Sequence, residues 1–438
     1  MSESIRLSHR DYWRLVSTNR NYRLLWFAQI VSEMGDWLYS VAIYSLLLES
    51  TGSAKALATA VVLQVMPQVL ISPVAGVLND RLPRRAVMIA ADLARFLVVL
   101  GMMWAIAIPS TPFIYAMLLL GSMMWGVFEP GRDALLPNLT AEGRERLAAN
   151  TLSAATWSFN LAAGTALGGL LAVFLGRNAV FAINAATFLV SAALLLRLRV
   201  HEPHAEEHPP LRAADLINFE PMREGFRYIA ARPRLLATLL VKAGLGVMGA
   251  NHVILPILGE RVFPVALAGR EGTAGLLGMS LLMTARGLGA LIGPPVAGYF
   301  AAGRQPAFRR GILIAFLAIG AGYFAVSVAP GPWTAIAGIV LAHGAGSTIW
   351  VFSTTMLQSQ TEDRFRGRVF SADYAFLIVT MSLSTWLGGV AIDMGASVRS
   401  VAMAVSLIVV VPAIAWWLAA MPLWEDRPVR STALPPPE

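Results

Sequence analysis

Gly76-Val77-Leu78-Asn79-Asp80-Arg81-Leu82-Pro83-Arg84-Arg85 lies between two long apolar runs and packs four charges into ten residues. A charged loop this short between two such runs reads as a tight turn at a membrane surface. Composition agrees: of 438 residues, 56% are hydrophobic and 14% charged, with a mean hydropathy of +0.62, outside the range of soluble domains of this length. Apolar runs of about 20 residues, enough to cross roughly 30 Å of hydrocarbon, recur near 24–48, 55–79, 84–108, 111–136, 149–175, 177–197, 234–258, 273–301, 309–329, 332–357, 368–393 and 398–421. The expectation is an all-α membrane protein with twelve transmembrane helices.

Basic residues set the orientation, because cytoplasmic loops retain Lys and Arg during insertion. Of the 34, five fall in loops on one side (Lys55, Arg177, Arg261, Arg270, Arg399) and three within helices (Arg95, Lys242, Arg286). The remaining 26 share a side with both termini, which are therefore expected in the cytoplasm. The net charge of +8 then reflects topology and contact with anionic lipid, and calls for no nucleic-acid partner. Residues before Tyr22 have no signal-peptide pattern and read as a basic amphipathic lead-in. With no cysteine, disulfides and thiolate metal sites are excluded. No Gly-x-x-x-x-Gly-Lys-Ser/Thr segment and no nucleophile–base–oxyanion constellation is present, so neither ATP-driven transport, an enzyme nor a cofactor is expected.

One long polar interruption, 198–233, holds His201, His204, His208, Glu206-Glu207 and Pro209-Pro210. It divides the chain into a six-helix half at 1–197, a cytoplasmic linker and a second six-helix half at 234–438. Gly298-Tyr-Phe-Ala-Ala-Gly-Arg-Gln-Pro-Ala-Phe-Arg-Arg310 echoes the opening stretch without its Asp, as expected of pseudo-symmetric repeats.

The pattern Gly-x-Leu-x-Asp-Arg-x-x-Arg-Arg at 76–85 resembles the loop between the second and third helices of major facilitator transporters. Three further segments are similar to the branch that includes enterobactin exporters and macrolide efflux pumps. They are Phe128-Glu-Pro-Gly-Arg-Asp-Ala-Leu-Leu-Pro137, Glu224-Gly-Phe-Arg-Tyr-Ile-Ala-Ala-Arg-Pro233 and Arg366-Gly-Arg-Val-Phe-Ser371. Gly164-Thr-Ala-Leu-Gly-Gly169 departs from the antiporter motif, with Thr165 where Pro is usual, although its small residues still allow close helix packing. The resemblance implies the major facilitator fold and a gate: Gly76 for close packing, Asp80 at the positive end of helix 11, and Arg84 or Arg85 near Asp133. Arg81, Glu129, Arg132, Arg366 and Arg368 belong to the same expected latch; for the arginines, anchoring at the membrane surface is the other reading.

A charge at the bilayer centre costs about 2.5–3.5 kcal/mol on insertion scales, so such residues face a partner or a watery cavity. Gln29, Glu33, Asp36 and Ser40 recur at helical spacing on one face of helix 1. Glu33 and Asp36, one turn apart, are expected to repel and leave a carboxyl poised to carry a proton; the alternative is permanent neutralisation by Arg95, Lys242 or Arg286. Asp92 and Arg95 at i, i+3 read as an intrahelical ion pair. Lys242 can lose its proton when buried and Arg286 cannot, which makes Lys242 the switch candidate and Arg286 the fixed counter-ion. His252, beside Asn251, and His343 read either as titrating groups or as hydrogen-bonded helix residues, and no metal site is indicated. The combined expectation is a monomeric, proton-coupled exporter of a hydrophobic small molecule (a drug, macrolide or siderophore-like compound) in a bacterial cytoplasmic membrane. A lysophospholipid or metal-ion carrier and a non-transporting sensor are the alternatives.

Overall fold

A computed structural model describes residues 7–107, 110–141, 143–202, 220–301, 305–362 and 365–420. His204, Glu206-Glu207, His208 and Pro209-Pro210 of the polar interruption lie outside them. Among the described residues, regular structure is helical throughout. The first group of helices is α1 (His9–Thr18), α2 (Arg20–Thr51), α3 (Ala54–Arg81), α4 (Arg84–Ala107), α5 (Thr111–Leu139), α6 (Arg144–Leu175) and α7 (Arg177–Leu196). The later group is α8 (Glu220–Ala230), α9 (Pro233–Leu245), α10 (Asn251–Ile257), α11 (Ala274–Ala301), α12 (Gln305–Ser327), α13 (Pro332–Gln360), α14 (Arg366–Asp393), α15 (Val398–Ile408) and α16 (Val410–Ala415).

All twelve expected apolar runs are helical, several extended by about a turn. Eleven helices are long and apolar enough to cross a membrane. α2 falls outside that set because its 32 residues include the polar stripe from Gln29 to Ser40. Helix limits follow from local chemistry. Asn19 opens α2 by accepting the Tyr22 N–H at 2.9 Å, and Ser53 opens α3 by accepting that of Ala56 at 3.0 Å. Between them Gly52, at φ 66°, takes the left-handed conformation that stops α2. In front of the bundle, the α1 carboxylate Asp11 accepts the Ser8 N–H at 2.7 Å, and the Ser8 hydrogen bonds hold it below the usual carboxylate range.

In the first group α2 packs on α6 and α7, α4 on α5 and α7, and α3 on α5; in the later group α13 packs on α11 and α12, and α9 on α14. The two groups meet where α6 crosses α11 and α3 crosses α14. Small residues allow that approach, since a Cβ on Gly287 of α11 would come within 2.5 Å of Ala162 Cα on α6.

The seventh apolar run is not one helix, as its sequence suggests, but three pieces: α9, a 3-10 segment Gly246–Ala250, then α10 followed by a π turn at Leu258–Val262. The break leaves carbonyls without helical partners, and α14 supplies them. Ser384 Oγ donates to Val247 O at 2.6 Å and Thr385 Oγ1 to Gly249 O at 2.7 Å. Unwound backbone at membrane depth is tolerated where such protein groups satisfy it.

Hydrogen bonds between the two groups gather at the end away from α1 and α8. There the Asp393 carboxylate accepts the Ala54 N–H at 2.7 Å and Arg261 donates to Gly52 O at 3.0 Å, while at mid-helix Tyr374 Oη donates to Gln68 Oε1 at 2.8 Å. At the arginine-rich end the packing is open. A Cβ on Gly76, Gly298 or Gly367 would meet no atom within 4 Å.

Candidate functional site

Four embedded carboxylates of the first group converge on two arginines. Glu33, buried on α2, accepts hydrogen bonds from Gln29 Nε2 at 2.8 Å, Arg132 Nη1 at 3.0 Å and Asn160 Nδ2 at 3.1 Å. Arg132 also reaches Glu129 Oε2 at 2.7 Å and Asp133 Oδ1 at 2.9 Å, the latter at the surface. One turn further along α2, Asp36 pairs with Arg95, whose other amine lies 3.5 Å from the fully buried Asp92 and donates to Ser32 Oγ at 3.3 Å. The Arg95 guanidinium stacks 4.1 Å above the Phe188 ring, a cation–π contact that lowers the cost of its charge.

Glu33 and Asp36 share a helix face and act on one another electrostatically, but each also meets a different guanidinium. Three residues of helix turn Asp36 about 60° away from Glu33, so Glu33 meets α5 and α6 while Asp36 meets α4. Asp36 finds Arg95, as the neutralised reading had it; the partner of Glu33 is Arg132, which the sequence reading placed in the surface latch. The Asp92–Arg95 pair is present, but Arg95 divides itself between two acids. Ser40 joins no cluster and donates to Asp36 O at 2.7 Å. A small cleft lined by Tyr22, Trp26, Gln29, Arg132, Asp133 and Ser153 lies beside the Arg132 side of this group.

In the later group Lys242, buried on α9, pairs with the buried Asp373 of α14, donates to Thr354 Oγ1 at 3.0 Å and lies 4.2 Å from the Trp350 ring centre. Asp373 was missed from sequence, although an acid in the apolar run after Phe370 was signal enough. Arg286 was expected as a counter-ion. Instead it makes no hydrogen bond or ion pair among the described residues, and the Trp37 ring centre of α2 lies 5.9 Å from its guanidinium carbon. His252 Nδ1 lies 3.0 Å from Gly249 O, and His343 Nε2 lies 3.3 Å from Tyr323 Oη. No group of three or more His, Asp or Glu suited to a metal ion occurs among the described residues.

The implied latch is not formed in this conformation. Asp80 is exposed, with no hydrogen bond or ion pair among the described residues, and a Cβ on Gly76 would meet no atom within 4 Å. Arg84 donates to Asn79 O at 3.2 Å and Ala134 O at 2.8 Å, and Arg85 to Leu195 O at 3.0 Å and Leu196 O at 2.6 Å. Both arginines cap helix C-termini, where the helix dipole favours a cation, and Asp133 is left to Arg132. Arg81 ends α3, and Arg368 pairs with Glu224 of α8 at 2.6 Å. Glu129 faces inward toward Arg132 and not the surface loop.

Comparison with known proteins fits this arrangement of helices. The family model described as Major Facilitator Superfamily matches residues 25–264. The MFS-type transporter YfiS of Bacillus subtilis, itself uncharacterized, is 25% identical over 383 residues, covering 83% of this chain and 84% of that one. The "Putative bacilysin exporter BacE" of Bacillus amyloliquefaciens is 28% identical over 243 residues, 54% of this chain and 58% of its own. In three dimensions the crystal structure of the nucleoside transporter NupG aligns with a TM-score of 0.64 over 90% of this chain and 98% of that one, at 14% identity, a likeness of fold alone. With a family model spanning more than half of its length and the helical bundle that family builds, this chain belongs to the Major Facilitator Superfamily of membrane transporters.

Proposed function

We propose that the protein is a proton-coupled exporter of a hydrophobic small molecule in a bacterial cytoplasmic membrane, of the kind found in the enterobactin and macrolide efflux branch. One observation carries the reading: Glu33, Glu129, Asp36 and Asp92 are embedded together and share only Arg132 and Arg95. Two negative charges are left over in a poorly solvated place, and taking up protons is the way to remove them. A small cleft lies beside Arg132, the guanidinium that Glu33 and Glu129 share, and the distribution of Lys and Arg assigns the arginine-rich end to the cytoplasm. The resemblance to a protein named as an exporter supports the direction.

In this reading the halves 1–197 and 234–438 rock against one another about the contacts at Gly52–Gln68 and Ala162–Val173, with 198–233 as a cytoplasmic linker. On this reading the conformation described, in which the Asp80 contact is absent, is the inward-open one. When the inner end closes, Asp80 reaches the N-terminus of α14 and forms the contact that is absent here. Asp36 is the first coupling carboxylate, and Glu33 the second proton site or a substrate contact.

The test is flux of labelled antibiotics, siderophores and lysolipids in liposomes under an imposed pH gradient. Gradient-dependent uphill movement supports the carrier reading, whereas none for any compound leaves a sensor. Orientation is checked separately with an impermeant thiol reagent on intact cells, which should label Ala396→Cys and spare Ser17→Cys; the reverse pattern rejects the assigned sides.

A further inference from the structure

Every embedded cation described above except Arg286 meets an acid. Arg95 has Asp36 and Asp92, Arg132 has Glu33 and Glu129, and Lys242 has Asp373. Arg286 sits in the middle of α11, the helix by which the later group meets α6 of the first, and Gly287 beside it packs on Ala162. The titratable groups that act on it electrostatically are Tyr44 of α2 and Tyr323 of α12. Its charge in turn reaches His252 on α10 and His343 on α13. None of these is a carboxylate.

An unpaired charge at this depth is costly, so it usually faces a partner or a watery cavity. Lysine escapes that cost by giving up a proton; arginine does not. The guanidinium therefore stays charged and presents a planar fork of donors that matches a carboxylate two bonds at a time. Beside it Trp37 and Trp157 meet edge to face with ring centres 5.8 Å apart, one ring from α2 and the other from α6. The setting combines an anion-binding fork with an aromatic wall at the junction of the two groups of helices.

We infer that Arg286 is the recognition residue for an acidic group on the transported molecule, with Trp37 and Trp157 holding the apolar body, so that the substrate class is an organic anion with a planar or extended hydrophobic part. The inference deepens the carrier reading by naming what the junction of the two groups of helices selects. It does not depend on proton coupling, since binding is measured with no gradient present.

The experiment uses the full chain in nanodiscs and follows tryptophan fluorescence and heat of binding with two matched sets of probes. One set is naphthoate, naphthamide and naphthylmethylammonium; the other is decanoate, decanamide and decylammonium. In the unaltered protein at least one acid is expected to bind tenfold or more tightly than its own amide and amine, tenfold being about 1.4 kcal/mol. Arg286→Gln should erase that preference and leave amide binding as it was. Arg286→Lys, which keeps the charge and loses the fork, should retain a reduced preference and serves if the Gln variant does not fold. The inference is overturned if no acid in either set outbinds its amide, or if the preference survives in Arg286→Gln or is undiminished in Arg286→Lys. Loss of gradient-driven flux alongside an intact preference for acids would instead count against the proton-coupling reading alone.

Discussion

The two groups of helices handle buried charge in opposite ways. In α2–α7, four embedded carboxylates divide two arginines between them; in the later helices Lys242 and Asp373 pair one to one and Arg286 has no acid. A one-to-one pair under a tryptophan ring is closed to further chemistry and behaves as a staple between α9 and α14. A shared arginine leaves each acid incompletely neutralised and able to change protonation state as its surroundings change. Under the proposed function, proton exchange belongs to the first group and attachment of a substrate anion to the other.

The largest expected effect tests the staple. Lys242→Met strands Asp373 in an apolar site and should lower stability by about 3–5 kcal/mol, the usual cost of removing one partner of a buried pair. The double variant Lys242→Met/Asp373→Leu should recover most of it, read as thermal unfolding in detergent. A single variant as stable as the unaltered protein would turn the pair from a staple into a second proton site, and the comparison would collapse.

Next comes the shared-arginine group. Asp36→Asn removes the titratable oxygen at nearly constant volume, and pH-driven accumulation in liposomes should fall at least tenfold while substrate binding persists, tenfold being about 1.4 kcal/mol in the barrier. Glu33→Gln should have a smaller effect, shifting the pH optimum or the order of preferred substrates. Full uphill transport by Asp36→Asn and by the double variant would move the proton site elsewhere, with Asp92 the next candidate.

The smallest effect concerns the open end. Since Asp80 is exposed and makes no hydrogen bond or ion pair among the described residues, Asp80→Asn should change stability by no more than about 0.5 kcal/mol. It should still lower the yield of a cross-link between cysteines at Leu82 and Gly367, because the charge acts only on the closed state. An unchanged yield together with unchanged transport would remove Asp80 from gating.

The sequence was most legible where the membrane acts as solvent. Long apolar runs must satisfy their own backbone, so the helices and most of their limits follow from length and hydropathy. The break at Gly246–Ala250 was not visible, because it depends on Ser384 and Thr385 more than a hundred residues away. Among the site residues, Glu33, Asp36, Asp92, Arg95, Lys242 and Arg286 stood out as charges in apolar runs, but their partners did not. Glu129 and Arg132 were read as surface residues because they lie near a helix end, and the length of an arginine side chain that reaches inward is not written in the spacing.

What the sequence determined alone is the class of molecule: a polytopic helical membrane protein with charges at fixed depths and the loop motifs of one superfamily. Tertiary structure decided who neutralises whom. Depth is a property of one helix, set by 1.5 Å of rise per residue. Pairing depends on which helices become neighbours and on their rotation. A turn of about 60° about α2 separates the Glu33 cluster from the Asp36 cluster, and the crossing of α11 against α6 and α2 brings Arg286 to an aromatic wall and to no acid.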